Sequence, residues 1–209
     1  MWGCAGAWRC GLWGMLLVGC ASAPIQEMSD ARQALQAAEH AGASQLSPRA
    51  LGRAKAHLRD AEEALDVRAY REARHEAQLA REQAIQARSS ATVINNAEAA
   101  VREAARLGNP QGDTAVLLDH ALEAARQGKE DQALALARQA AEQAGKALND
   151  AYLRDAWTRI NRLQSVRGRM TAAQRGLLHS AEEAYWKGEG RNALEILQKL
   201  MGTLPPELQ

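Results

Sequence analysis

The chain has 209 residues, with 26 Lys and Arg against 25 Asp and Glu, 3 Cys and no Phe. A formal net charge of +1 leaves no global basic surface of the kind nucleic acid requires. Ala dominates and aromatic residues make up 4% of the chain; such a chain forms helices readily and packs them closely, but it has few large residues to enclose a small-molecule substrate.

The N-terminus reads as a secretory signal. Arg9 is the only charge before Cys20, and the apolar run Leu12-Trp13-Gly14-Met15-Leu16-Leu17-Val18 is too short for a stable membrane span. Leu17, Val18, Gly19 and Cys20 follow one another at the end of that run. They resemble the lipobox of bacterial lipoproteins, whose Cys is lipidated and becomes the mature N-terminus. The other reading of Cys20 is an ordinary signal-peptide cysteine, since the Ala-x-Ala-like Ala21-Ser22-Ala23 comes next.

The lipobox resemblance implies that residues 1–19 leave with Cys4 and Cys10, and that Cys20 carries the acyl chains, such as palmitate. The mature chain then has no free thiol and no disulfide. With Arg9 lost, its basic and acidic residues are equal in number. Three acyl chains, at ~0.8 kcal/mol per buried CH₂, give a permanent membrane anchor. By the same resemblance, Ala21 in place of Asp implies the outer membrane of a Gram-negative envelope, facing the periplasm.

Residues 20–28 then form the lipidated Cys and a tether through Pro24, reaching at most roughly 30 Å. A helical-repeat domain is expected over 29–209. Ser29 or Asp30 is placed to cap a first helix through Ala31, Leu35, Ala38 and Ala41, ending at Gly42. Ser47-Pro48 opens the second helix, with Pro in the first turn, where its missing N–H costs nothing.

From there the sequence repeats with a period of sixty. Leu58, Ala61, Ala64, Ala73, Ala77, Ala80 and Ala84 recur as Leu118, Ala121, Ala124, Ala133, Ala137, Ala140 and Ala144. They recur again as Leu178, Ala181, Ala184, Ala193, Leu197, Leu200 and Leu204. Arg68, Gly128 and Gly188 hold the turn, so each copy predicts an antiparallel helix hairpin. The intervening residues predict helix continuation. Residues 69–107 lack Gly and Pro and keep an apolar register from Ala80 to Leu107; Gly108-Asn109-Pro110-Gln111-Gly112 stops it, and Asp113 can cap the next helix. A second long helix is expected over about 130–166, with a break at Gly168 and a capping box at Thr171-x-x-Gln174. The fold class is therefore all-α, a solenoid of hairpins with alternating short and long helices.

Two resemblances bear on this stretch. Residues 54–87, 114–147 and 174–207 resemble tetratricopeptide (TPR) repeats, with Ala at the eighth, eleventh and twentieth positions of each unit and Pro205 at the end of the last. They depart from that family in lacking its early Trp and Leu-Gly-x-x-Tyr, in carrying Arg68 for Gly, and in not abutting. Residues 24–88, through Pro24, Ala31, Gly42-Ala43, Pro48, Leu51, Ala54, Tyr70 and the alanines already named, resemble a helical domain of unknown function in proteobacterial envelope lipoproteins. That domain is often followed by an OmpA-like peptidoglycan-binding domain, and none follows here, so peptidoglycan binding is not carried over.

Few residues suggest chemistry. Ser89-Ser90 lies mid-helix with no supporting His or Lys and reads as polar surface. Glu62-Glu63 and Glu182-Glu183 share a repeat position, but adjacent helical residues diverge by about 100°, so solvated charge is the reading. His40, His57, His75, His120 and His179 show no pair at ligand spacing within a helix and occupy different repeat positions, so neither a metal site nor a cofactor is expected. No catalytic residues are expected, and the chain is read as a non-enzyme.

One composition does stand out. Arg154, Arg159, Arg162, Arg167, Arg169 and Arg175 are opposed only by Asp155, with Tyr152, Trp157, Tyr185 and Trp186 in or near the same region. Arg with aromatics is the mixture enriched at protein interfaces. The competing reading buries Leu153, Trp157, Ile160 and Leu163 and lets the arginines coat the opposite face. These features lead to the expectation of a membrane-anchored scaffold or adaptor that binds another envelope protein through a helical-repeat surface. The alternative is a structural envelope protein that spaces or stiffens the periplasm, as a homo-oligomer or by contact with peptidoglycan or lipopolysaccharide.

Overall fold

The computed structural model describes residues 22–107 and 112–205; the signal segment and Leu17, Val18, Gly19 and Cys20 lie outside the described residues. Eight α-helices occupy them: α1 (Ile25–His40), α2 (Ala43–Leu46), α3 (Pro48–Asp66), α4 (Tyr70–Arg106), α5 (Gly112–Arg126), α6 (Glu130–Gln164), α7 (Ala172–Trp186) and α8 (Gly190–Thr203), with a 3₁₀ turn at Arg167–Arg169. No strand is present among the described residues, and no helix there is long and apolar enough to cross a membrane.

Three turns repeat the same geometry. Arg68, Gly128 and Gly188 take left-handed φ values of 62°, 70° and 77°. At each, the next residue's N–H reaches back five residues (Ala69 to Ala64, Lys129 to Ala124, Glu189 to Ala184), each bond being 2.9 Å. This double-bonded C-terminal cap satisfies carbonyls that the ending helix would leave unpaired. Gly adopts the conformation freely, whereas Arg68 pays for its Cβ.

The helices assemble into three successive cores; short α2 adds Ala43 to the first, which α1, α3 and α4 otherwise build, and three helices form each of the others. In the first, Met28, Ala31 and Ala38 of α1 meet Ala50, Leu51 and Ala61 of α3 and Ala77, Ala80, Ala87 and Ala91 of α4. The second takes Ile94, Ala97, Val101 and Ala104 from the far half of α4, Leu118, Ala121 and Ala124 from α5, and Ala133, Ala137, Ala140 and Ala144 from α6. The third takes Ala156, Ile160 and Leu163 from the far half of α6, with Leu178 and Ala181 of α7 and Leu197 and Leu200 of α8. The two long helices, 37 and 35 residues, therefore each belong to two cores; at 1.5 Å per residue each runs for more than ~50 Å. The short hairpin helices close each core from the other side.

Several expected local features take a different form. The first helix begins at Ile25 rather than after Ser29 or Asp30, because Pro24 supplies its N-terminal boundary, and Met28 is already buried. The expected tether to residue 28 therefore shrinks, within the described residues, to Ser22, Ala23 and Pro24. The α5 helix starts at Gly112, so Asp113 sits in its first turn rather than at its cap. Ser90 is buried on the inner face of α4, while Ser89 is exposed. Thr171 and Gln174 do form the capping box, with reciprocal bonds of 3.3 and 2.8 Å.

The first and second cores are also joined through side chains. The α3 N-terminus carries no cap of its own; instead Glu130, the first residue of α6, accepts from the Ala50 backbone N–H at 2.8 Å and the Ser47 hydroxyl at 3.0 Å. A carboxylate there satisfies unpaired N–H groups and meets the positive end of the helix. Arg49 lies alongside, 3.5 Å from the Gly128 carbonyl.

The alanine seams leave no room for larger side chains. Ala140→Leu, at a fully buried position, is expected to lower stability by about 1–3 kcal/mol through overpacking. Arg68→Gly should raise it by about 1 kcal/mol by relieving the left-handed residue. Urea denaturation of both variants measures the two effects.

Candidate functional site

The third core carries the arginine-rich stretch, and helical geometry divides that stretch among three places. Residues 154 and 159 on α6 are five apart, which at about 100° per residue separates them by about 140° around the helix. Residues three or four apart lie on neighbouring parts of one face, so Arg154 is exposed on the side of α6 that carries Trp157, whereas Arg159 turns toward α8.

On the α7 side the aromatics form a cluster. Trp157 stacks on Tyr185 with ring centroids 5.2 Å apart and an interplanar angle of 23°. Trp186 meets Trp157 edge-on at 6.1 Å and Tyr185 edge-on at 5.2 Å. Offset stacking and edge contacts are the favourable arrangements for such rings. The cluster is not core: Trp186 is 74% exposed and Trp157 39%. The buried face of this half of α6 is instead Ala156, Ile160 and Leu163.

On the α8 side, Arg159 forms a two-pronged pair with Asp155 at 3.0 and 2.9 Å. It lines a shallow groove with Tyr152, Arg191, Leu194, Glu195 and Gln198. The Arg191 guanidinium lies 5.5 Å from the Tyr152 ring centroid, a cation–π distance. Arg162 lies farther along this side, beside Leu163 and Met201. Arg167 and Arg169 occupy the 3₁₀ turn before α7, the opposite end of that 15-residue helix from Trp186. Arg175 donates to the Met170 carbonyl at 2.6 Å, bracing the same turn. The side chains of Arg154, Arg162, Arg167 and Arg169 make no ion pair or hydrogen bond among the described residues.

What presents Trp186 is the turn after it. Asn149 of α6 donates to the Gly188 carbonyl at 2.9 Å and accepts from the Gly190 N–H at 3.1 Å. The backbones come close there: a Cβ on Gly190 would lie 2.8 Å from the Asn149 carbonyl oxygen and 2.9 Å from the Leu153 nitrogen. Only Gly fits at that crossing. Neither Asn149 nor Gly190 was signalled by the arginine-rich composition, because the clamp joins residues about forty positions apart in the chain.

The glutamate pairs are less uniform than solvated charge implies. Glu62 accepts from Arg32 at 2.8 Å and ties α1 to α3, and Glu182 accepts from Gln164 at 3.2 Å, tying α6 to α7. His179 is exposed, its ring nitrogens 3.8 and 3.5 Å from Glu182 and Glu183. His57 differs, for its Nδ1 lies 2.7 Å from Glu76 Oε2 across the first hairpin.

Asn149→Ala removes both bonds of the clamp and should cost about 1–2 kcal/mol, leaving the Gly188 carbonyl and Gly190 N–H short of partners. Faster hydrogen exchange at the Gly190 amide, with helicity retained, is the expected local signature.

No curated protein and no solved structure matches this chain. Residues 26–93, which run from α1 through most of α4 and build the first core, match the family described as a domain of unknown function (DUF4398).

Proposed function

We infer that this protein is a non-enzymatic lipoprotein of the bacterial outer membrane, held by lipidated Cys20, and that it works as a scaffold or adaptor for another envelope protein. The observation that carries the binding half of this reading is the Trp157–Tyr185–Trp186 cluster, whose outermost ring is 74% exposed. Exposed aromatic area of this size on a rigid helical support is what protein interfaces bury at their centres. Arg154, one helical turn from Trp157, is a fitting rim charge for an acidic partner. Arg167 and Arg169 lie at the far end of α7 and would serve a long interface rather than a compact one.

The three hairpins are read as TPR-like units recurring every sixty residues. The shared left-handed turn and the small residues at facing positions support that reading. The lipid anchor rests on the Leu17-Val18-Gly19-Cys20 sequence and on the resemblance of the first domain to envelope lipoproteins.

A structural role in the envelope is the second reading. It is favoured by α4 and α6, each of which passes through two cores and would make a stiff spacer.

Trp186→Ala should abolish co-purification of an envelope partner after in-cell crosslinking, with helicity unchanged and stability lowered by only about 1 kcal/mol, the worth of the edge-on ring contacts it loses. Arg159→Glu should leave that binding intact, since Arg159 faces the α8 groove and is paired with Asp155. Cys20→Ser should move the protein from the membrane fraction to the soluble periplasm; a variant still in the outer membrane would refute the anchor.

A further inference from the structure

We propose that His57, Asp60 and Glu76 form a binding site for a divalent transition metal of the Zn²⁺ class, bridging α3 and α4. One ligand atom from each residue lies within 4.8 Å of the other two. His57 and Asp60 stand three apart on α3 and so share a face; Glu76 reaches them from α4, its Oε2 2.7 Å from His57 Nδ1. Ligands on tetrahedral Zn²⁺, bound at about 2.0–2.2 Å, stand about 3.3 Å apart. Opening the His57–Glu76 contact by a few tenths of an ångström and drawing in the exposed Asp60 carboxylate brings all three onto one ion. A fourth position is left for water. One imidazole with two carboxylates is a borderline donor set, suited to Zn²⁺ rather than to Ca²⁺ or Mg²⁺, which prefer all-oxygen shells.

Two further observations point the same way. The first is a comparison within the chain. The residues placed identically about the second turn are Leu117 and Leu136, and about the third Leu177 and Ile196. All four are partly buried against their cores. The hairpin is therefore completed by an apolar pair in two cases, and only the first unit replaces it with imidazole and carboxylate, which packing does not require. The second is charge. The groove beside the site is lined by Asp60, Glu63, Ala64, Val67 and Glu72, with Arg59, 3.7 Å from Asp60 and 3.9 Å from Glu63, as the nearby counter-charge. A surplus of carboxylates along a groove raises the local cation concentration.

The site lies at the surface of the first hairpin, outside its core, and is independent of the interface reading of the third core. Calorimetric titration of the full chain with ZnCl₂ is expected to show a Zn²⁺ site that His57→Gln and Glu76→Gln each weaken at least tenfold. His179→Gln removes an exposed histidine flanked by Glu182 and Glu183 and should leave the affinity unchanged. The double variant His57→Leu with Glu76→Leu copies the apolar pair of the second hairpin, so it should fold and bind no metal there. Zn²⁺ should raise the melting temperature of the unmodified chain and not that of the double variant. Absence of Zn²⁺ binding by the full chain, undiminished affinity in the double variant, or an equal loss in His179→Gln would each overturn the proposal.

Discussion

A helix that presents only methyl groups to its neighbour must come very close before the two make contact. That constraint governs this molecule. Ala31, Ala61, Ala80, Ala97, Ala121, Ala140, Ala181 and Ala193 are all fully buried, and each contributes little apolar area on its own. The area must come from length instead. Long, straight, closely apposed helices gather many small contacts, and dispersion between tightly packed backbones adds to them. The same closeness fixes where glycine is obligatory, as at Gly190, and explains why the turns must be tight and identical. The third core departs from this economy. Leu197, Leu200 and Leu204 occupy positions where the earlier cores use Ala, and it is this better-filled core that supports the exposed tryptophans.

Helix positions were legible where punctuation is strong. The uninterrupted run from 69 to 107 announces α4 almost to the residue, since nothing in it breaks an α-helix and several breakers follow it. The start of α1 was legible only in part. Ser29 and Asp30 are better caps than anything upstream, yet Pro24 and a backbone turn at Ile25 already permit a helix, and burying Met28 repays the extra turn. What local periodicity could not reveal is how the long helices are shared. The apolar positions of α4 drift along one continuous stripe, and nothing in the stripe marks the point near Ala91 where its partners change from α1 and α3 to α5 and α6.

The sites were legible to different degrees for a related reason. Composition detects that arginines and aromatics are near one another in the chain, but helical rotation decides which of them share a surface. Arg154 stays with Trp157 while Arg159 is carried to the opposite groove. Pairings between helices leave even less trace. His57 and Glu76 are nineteen residues apart, on different helices, and the five histidines taken alone show no ligand spacing. Comparison of the three hairpins position by position, Leu117 with Leu136 and Leu177 with Ile196 against His57 with Glu76, isolates the one pair that departs from the apolar pattern.

The sharing of α4 and α6 between cores has a mechanical consequence. A chain of domains joined by flexible linkers yields one domain at a time, and its parts reorient freely. Here no core can melt alone without ending a helix in its middle, which exposes backbone groups and forfeits propagation of the hydrogen-bond ladder. Neighbouring cores are therefore energetically coupled, in the way that nearest-neighbour terms couple the units of a repeat protein. A pull or twist applied at one end is carried through helical rods rather than absorbed at joints, and Glu130, capping α3 from the start of α6, adds a cross-brace at the first of the two junctions.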